Sequence, residues 1–347
     1  MISSIDNYYS TNYSKCNLSE SFLASWKGVA YPTDFIQIFS LPLQILAFYI
    51  ILTKTPVQMK SMKWPLFYNH LFCSIFDVIL CTFSTIYIIL PMLGVFTVGV
   101  FSWLGIPIIL ELILLTCSLL SLAFSYIYLF ESRSRAVSQN PFKMSRKSTR
   151  IKYYSYLILS YSTIFIFLII IPSDQETAKL QALQAYPCPT QEFFTFPILI
   201  LNSDSTTSTF IVIIFMPIFI AHSVGHGVFH VTWTIWYLYV APSNQVSIET
   251  QKKQKTFLKN VILQFSIPSV FILFSVAIIF TSSFYSQEMM NLGVDVAGLH
   301  GIGESIAVIF VHSPYRKAAG QLIFRWNDPQ SSTRVSAVRG NSSAFTI

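Results

Sequence analysis

Seven apolar stretches, at residues 33–54, 65–90, 106–130, 152–172, 208–240, 259–282 and 294–314, set the outline of this chain. Each is long enough for a helix across a hydrocarbon layer about 30 Å thick, which needs on the order of 20 mostly apolar residues. The gaps between them alternate in basic content. Lys54, Lys60 and Lys63 lie in the first gap, seven cations from Arg133 to Lys152 in the third, and Lys252, Lys253, Lys255 and Lys259 in the fifth. The second and sixth gaps hold none, and the fourth holds only Lys179. With the tail cations counted, nineteen fall on one side and three on the other. The excess of positive charge on the cytoplasmic side predicts an N-terminus outside and a C-terminus inside. The fold class expected is an all-α, seven-transmembrane helix bundle with the topology of a receptor.

Composition supports this reading. A chain that is 53% hydrophobic and 11% charged does not make a soluble core of 347 residues. The net charge of +7 is distributed over juxtamembrane loops and not over one face of a globular domain, which argues against nucleic acid and for contact with membrane lipid head groups. The first thirty residues contain no apolar run after a basic start, so the first helix is expected to direct insertion itself. Four regions follow: an extracellular segment 1–32, the seven-helix domain 33–314, a short amphipathic juxtamembrane helix 315–326, and a Ser-rich cytoplasmic tail 327–347 expected to be disordered.

Of five cysteines, Cys73, Cys81 and Cys117 fall inside apolar stretches. Cys16 and Cys188 fall in outside segments, where the environment is oxidising, and are the candidate disulfide. Asn12-Tyr-Ser and Asn17-Leu-Ser are glycosylation sequons in the same outside region. Asn341-Ser-Ser also fits the pattern but falls in the tail assigned to the cytoplasm.

Ionisable residues within apolar stretches are costly and therefore functional candidates. Asp77 lies midway along the second stretch, Glu111 near the outer end of the third, and His300 and Glu304 one helical turn apart in the seventh. Glu111, with the outer aromatics Phe101 and Trp103, is the candidate ligand contact, and a structural polar contact is the competing role for Glu111. Asp77, His300 and Glu304 suit a packing or switch network. His222, His226 and His230 recur every fourth residue on the fifth stretch. Spread over about 12 Å of helix, the three cannot share one ion. A membrane hydrolase or transporter built on that face is the rival function. No GxSxG, HExxH, phosphate-binding loop or CxxC is present, and neither a cofactor nor a metal is expected.

Three stretches together resemble the nematode serpentine chemoreceptors, most closely class H (Srh). Lys54-Thr-Pro-Val-Gln-Met-Lys-Ser-Met-Lys-Trp64, followed by His70 and Asp77, is similar to the first inside loop of that class. Tyr128-Leu-Phe-Glu131-Ser-Arg133 is similar to its Phe-Glu-Asn-Arg ending of helix three. Leu299-His300-Gly301 through His312-Ser-Pro314-Tyr315-Arg316 is similar to its helix-seven His-Gly and terminal Pro-Tyr-Arg. The resemblance covers residues 30–326. Ser132 departs from the usual Asn, and the Asp-Arg-Tyr and Asn-Pro-x-x-Tyr motifs of rhodopsin-like receptors are missing. What it implies is a G-protein-coupled receptor for a small-molecule chemical cue, partnered by a heterotrimeric G protein. The plasma membrane, and in particular the ciliary membrane of a sensory neuron, is the implied location. Glu131 and Arg133 would then belong to activation and coupling. For an Arg at this helix end, dipole and lipid-phosphate contact are equally open roles.

Overall fold

The computed structural model describes residues 4–16, 21–202, 204–242, 246–282 and 286–326. Among the described residues, seven helices long and apolar enough to cross a membrane run over Lys27–Lys54, Met59–Ser84, Ile108–Arg135, Lys147–Ile169, Ile213–Val240, Ile248–Ile279 and Gln287–Val311. We refer to them as the first to seventh spans. The seventh packs against the first, second and sixth, the third against the second and fifth.

Several boundaries differ from the apolar pattern for identifiable reasons. The first span begins at Lys27, six residues before its apolar stretch, so Thr33 lies inside the helix, where its hydroxyl donates to Val29 O at 2.7 Å. Pro32 is the sixth residue of this helix, inside it, where its missing N–H leaves the Gly28 carbonyl without its usual i+4 donor. The second apolar stretch stops being helical at Ser84. It ends in a wide turn over Ile79–Ser84, and Thr85 adopts the left-handed conformation. The β-branched and aromatic run that follows forms strand β1, Ile86–Ile89, which pairs antiparallel with β2, Gly94–Thr97. β2 in turn pairs with β3, Leu199–Ile200. The sixth span starts eleven residues before its apolar stretch, at Ile248. Its polar first turns are held by a Lys253–Glu249 ion pair at 2.6 Å.

The sheet end of the bundle is closed. Helix Gln175–Ala185 docks on β3 through Gln175, whose side chain both donates to Ile200 O and accepts from Ile200 N. Cys16 and Cys188 form a disulfide there, their Cα atoms 5.7 Å apart. Tyr8 of helix Ile5–Thr11 donates to Pro187 O at 2.8 Å. A continuous apolar cluster including Tyr87, Phe96, Leu183, Phe193 and Ile200 fills the space beneath. At the opposite, basic end, Ile50, Leu66, Leu129, Val261, Val308 and Tyr315 form a second core. Helix Ser313–Trp326 follows a break at His312 and packs Ala318 and Ala319 into that core. Asn12 caps helix Ile5–Thr11 and is half-buried. Asn17, Asn341 and the tail from residue 327 lie outside the described residues.

Candidate functional site

The first span places Thr33, Gln37, Ser40 and Gln44 on one face, at spacings of four, three and four. All four are buried against the bundle. Ser40 and Gln44 meet Asp77 of the second span: Oδ2 accepts from Ser40 Oγ at 3.0 Å and from Gln44 Nε2 at 2.9 Å. Asp77 Oδ1 accepts from the backbone N–H of Gly301 in the seventh span at 3.1 Å. Gly301 is required by that approach, because a Cβ at this position would overlap the Asp77 carboxylate. His300, next to it, turns Nδ1 toward Asp77 Oδ1 at 3.8 Å, and its Nε2 shares a 3.3 Å hydrogen bond with Tyr126 of the third span.

A second imidazole–carboxylate pair lies one turn away. His70 Nε2 sits 3.0 Å from Gln44 O. A carbonyl only accepts, so Nε2 carries the hydrogen. His70 Nδ1 is in direct contact with Glu304 Oε2. Whether written as imidazolium and carboxylate or as neutral partners, the pair holds one proton between these atoms. Asn69 donates to Glu304 Oε1 at 3.5 Å and accepts from Ser125 Oγ at 3.3 Å. Asp77, His70, His300 and Glu304 are each at most 1% exposed, so the network has no direct solvent exchange. It joins the first, second, third and seventh spans. Buried polar contacts of this kind link helices in lipid, where apolar surface alone gives no preference for one neighbour.

The sequence candidates divide accordingly. Asp77, His300 and Glu304 come together, joined by Ser40, Gln44, Asn69, Ser125 and Tyr126, which charge and hydropathy did not single out. The four-three-four polar stripe on the first span was the available signal for two of them. Asp295, also in the seventh span and 9% exposed, was missed as well; its Oδ1 has no hydrogen-bond partner among the described residues. Glu111 is buried and accepts from Thr97 Oγ1 of β2 at 3.0 Å. Phe101 stacks on Phe83 with ring centroids 4.7 Å apart, and Trp103 is 81% exposed. No hydrogen bond or ring contact among the described residues joins these three to one another.

Glu131 and Arg133, two residues apart, face opposite sides of the third span. Glu131 accepts from Arg150 Nη2 of the fourth span at 2.7 Å. Arg133 is 5% exposed, donates through Nη2 to Gln254 O of the sixth span at 2.6 Å, and lies over the Phe257 ring. Phe257 packs on His312, which shares a 3.0 Å hydrogen bond with Gln264 and packs on Tyr315. Tyr315 in turn shares a 2.8 Å hydrogen bond with Thr55. A chain of contacts thus ties the basic ends of the third, sixth, seventh and first spans.

The three histidines of the fifth span bond to tyrosines of the fourth. His222 meets Tyr156 at 3.0 Å, and His226 and His230 meet Tyr153 at 3.1 and 3.2 Å. Among the described residues no group of three or more His, Cys, Asp or Glu side chains could hold a metal ion.

Residues 24–325 match the family described as Serpentine type 7TM GPCR chemoreceptor Srh. The chain is also 31% identical over 318 residues to Serpentine receptor class H-72 of Caenorhabditis elegans, covering 90% of this chain and 91% of that one. The seven membrane-capable helices agree with a multi-pass membrane protein, and the family is one of receptors and not of enzymes. The chain belongs to the class H serpentine chemoreceptors.

Proposed function

We propose that this receptor binds a small-molecule cue and signals to a heterotrimeric G protein from the plasma membrane, in the ciliary membrane of a sensory neuron. The disulfide end faces outside and the basic end faces the cytoplasm. Two observations support that orientation: among the described residues seventeen Lys and Arg lie toward the basic end and three toward the other, and the Cys16–Cys188 disulfide lies at that other end.

The observation that carries the functional reading is the buried network of Asp77, His300, His70 and Glu304. It ties four spans through short polar contacts that can be exchanged for alternatives. A ligand moves such an equilibrium only by binding one arrangement more tightly than the other. Movement of the seventh span relative to the second would change the Asp77–His300 separation, and the sixth span, packed on the seventh and joined to it through Phe257 and His312, would follow and draw Gln254 and Phe257 away from Arg133. Arg133, released from Gln254 O, would then be free to meet the G protein. Glu111 belongs to the outer support of the third span, where it can sense a ligand through Thr97 and β2. Phe101 and Trp103 are candidate contacts at the entrance.

The test is G-protein activation in reconstituted membranes against a panel of volatile and water-soluble compounds, with Arg133→Ala as the control. An active compound should give a response that falls at least tenfold in the variant at matched receptor density. An Arg133→Ala receptor that responds as the parent does removes the assigned role of that residue.

A further inference from the structure

A groove of about 780 Å³ opens along the outside of the bundle between the second, third and fourth spans. Its walls change character along their length. Phe72, Phe124 and Ile158 line the part toward the bundle middle, Ile151 lies one helical turn from Lys147, and Arg135 and Lys147 close the groove at the basic end. The volume lies within the range of about 300–1,000 Å³ common for small-molecule sites. Both cations are exposed, and neither has an ion-pair partner among the described residues. Ile151 and Ile158 are 56% and 60% exposed, so the apolar part faces the hydrocarbon layer.

An occupant must therefore be long, apolar over most of its length, and negatively charged at one end. It must also enter sideways from the bilayer. We propose that the groove holds one anionic phospholipid, its phosphate between Arg135 and Lys147 and one acyl chain along Phe72, Phe124 and Ile158. The first turn of the fourth span starts at Lys147 without a side-chain cap, so its N–H groups add to the attraction for the phosphate. Tyr154 and Arg150 line the same groove, and both contact Glu131. The bound lipid thus lies against the Glu131–Arg150 pair, and its occupancy bears on how firmly the third and fourth spans are joined. The site concerns a retained lipid and does not depend on which cue the receptor detects.

The experiment uses the full chain in nanodiscs made with phosphatidylserine carrying a photoreactive group on one acyl chain. Crosslinked peptides should concentrate on residues 68–72, 124–128 and 151–158. Arg135→Glu with Lys147→Glu should lower that labelling at least fivefold, and Ile158→Trp, which fills the apolar part and leaves the charges intact, should lower it as well. A matched phosphatidylcholine probe should label these peptides several-fold less than phosphatidylserine in the parent chain. Equal labelling by the two lipids overturns the proposal, as does labelling spread evenly over the lipid-facing sides of all the spans. Displacement of the probe by millimolar inorganic phosphate would assign the site to a free anion and overturn it too. The peptide map of the unsubstituted chain decides the question even where a variant fails to fold.

Discussion

Asp77 Oδ1 and His300 Nδ1 face each other across 3.8 Å between the second and seventh spans, and His300 Nδ1 has no hydrogen-bond partner among the described residues. The separation is within ion-pair range and too long for a hydrogen bond. The carboxylate meanwhile accepts from Ser40 and Gln44 on Oδ2 and from the Gly301 N–H on Oδ1, which leaves room for a further donor on Oδ1. A small approach of the seventh span would add a charge-assisted bond, and a small retreat would lose the Gly301 contact. Under the proposed function, these are the two arrangements between which the seventh span would move.

Removing that carboxylate should be costly. Asp77→Ala leaves the buried Ser40 hydroxyl and Gly301 N–H without an acceptor, leaves Gln44 only Ser40, and removes the charge facing His300, a loss of about 3–5 kcal/mol. Asp77→Asn keeps the shape but turns an NH2 group toward one of the donors, for a loss of about 1–3 kcal/mol. Thermal unfolding of the purified receptor should rank parent, Asn and Ala in that order. Parental stability in Asp77→Ala would show that the network does not hold the spans together.

Gly301→Ala should act through the same contact. Its new methyl group overlaps the Asp77 carboxylate, so the second and seventh spans must separate, at a cost of about 1–3 kcal/mol. Surface expression should fall. Combining it with Asp77→Ser, which vacates the space, should cost less than the two separate losses added together. Strict additivity would mean that the two sites do not touch.

The spans were legible because hydropathy and the placement of Lys and Arg both report on the bilayer, a solvent common to every helix. The three-stranded sheet was not, since only Ser84-Thr85, with no charge, Gly or Pro, separates β1 from the apolar run of the second span. Only the β-branched and aromatic residues of Thr85-Ile-Tyr-Ile-Ile mark the change, and apolar runs of that length fit either a helix or a strand. In the buried network the ionisable members were visible one at a time, because a charge in an apolar stretch is conspicuous. Their uncharged partners, such as Asn69 and Tyr126, are ordinary membrane-helix residues until packing brings them within 3.5 Å of Glu304 and His300. The opposite facing of Glu131 and Arg133 follows from their two-residue spacing, yet the identity of Arg150 and Gln254 as partners required the packing of the fourth and sixth spans.

Tyr315→Phe should remove one interaction and little else. The ring stays buried against His312, while the hydroxyl bond to Thr55 is lost, for about 1 kcal/mol. A thiol-reactive probe on a cysteine introduced at Lys317 should react faster in this variant than in the parent background. An unchanged rate would show that the bond does not hold helix Ser313–Trp326 against the first span.

Helix Gln175–Ala185 should respond to acid. Asp174 caps it, with Oδ1 accepting from Thr177 N at 3.1 Å and Oδ2 from the Thr177 hydroxyl at 2.5 Å. These bonds hold the Asp174 carboxyl below the usual carboxylate range. Because its pKa is depressed in the folded state, the cap contributes fully above the unfolded value of about 3.9. The contribution fades as pH falls through the lower folded value. Amide exchange at Thr177 and Ala178, corrected for intrinsic rates, should be flat from pH 7 to 5 and rise below about pH 4. Asp174→Ala should show the faster exchange throughout and no such rise.

Reduction of the Cys16–Cys188 disulfide should loosen the closed end without unfolding the bundle. Cys188 is exposed and so within reach of a soluble reductant. The bridge spans 172 residues of sequence. Membrane helices already constrain most of that loop, so the effect belongs at about 2–4 kcal/mol, short of what a flexible chain of this length would give. Helix Ile5–Thr11 is then still held by the Tyr8–Pro187 hydrogen bond, the burial of Tyr8 in the core, and the packing of Tyr8, Tyr9 and Tyr13 on Phe194. Hydrogen exchange over residues 5–15 should accelerate on reduction and equally in a Cys16→Ser, Cys188→Ser double variant, while exchange across Asp77 and Glu304 stays slow. Acceleration at Asp77 and Glu304 as well would mean that the cap and the buried network open together, which would make the disulfide part of the same two-state element.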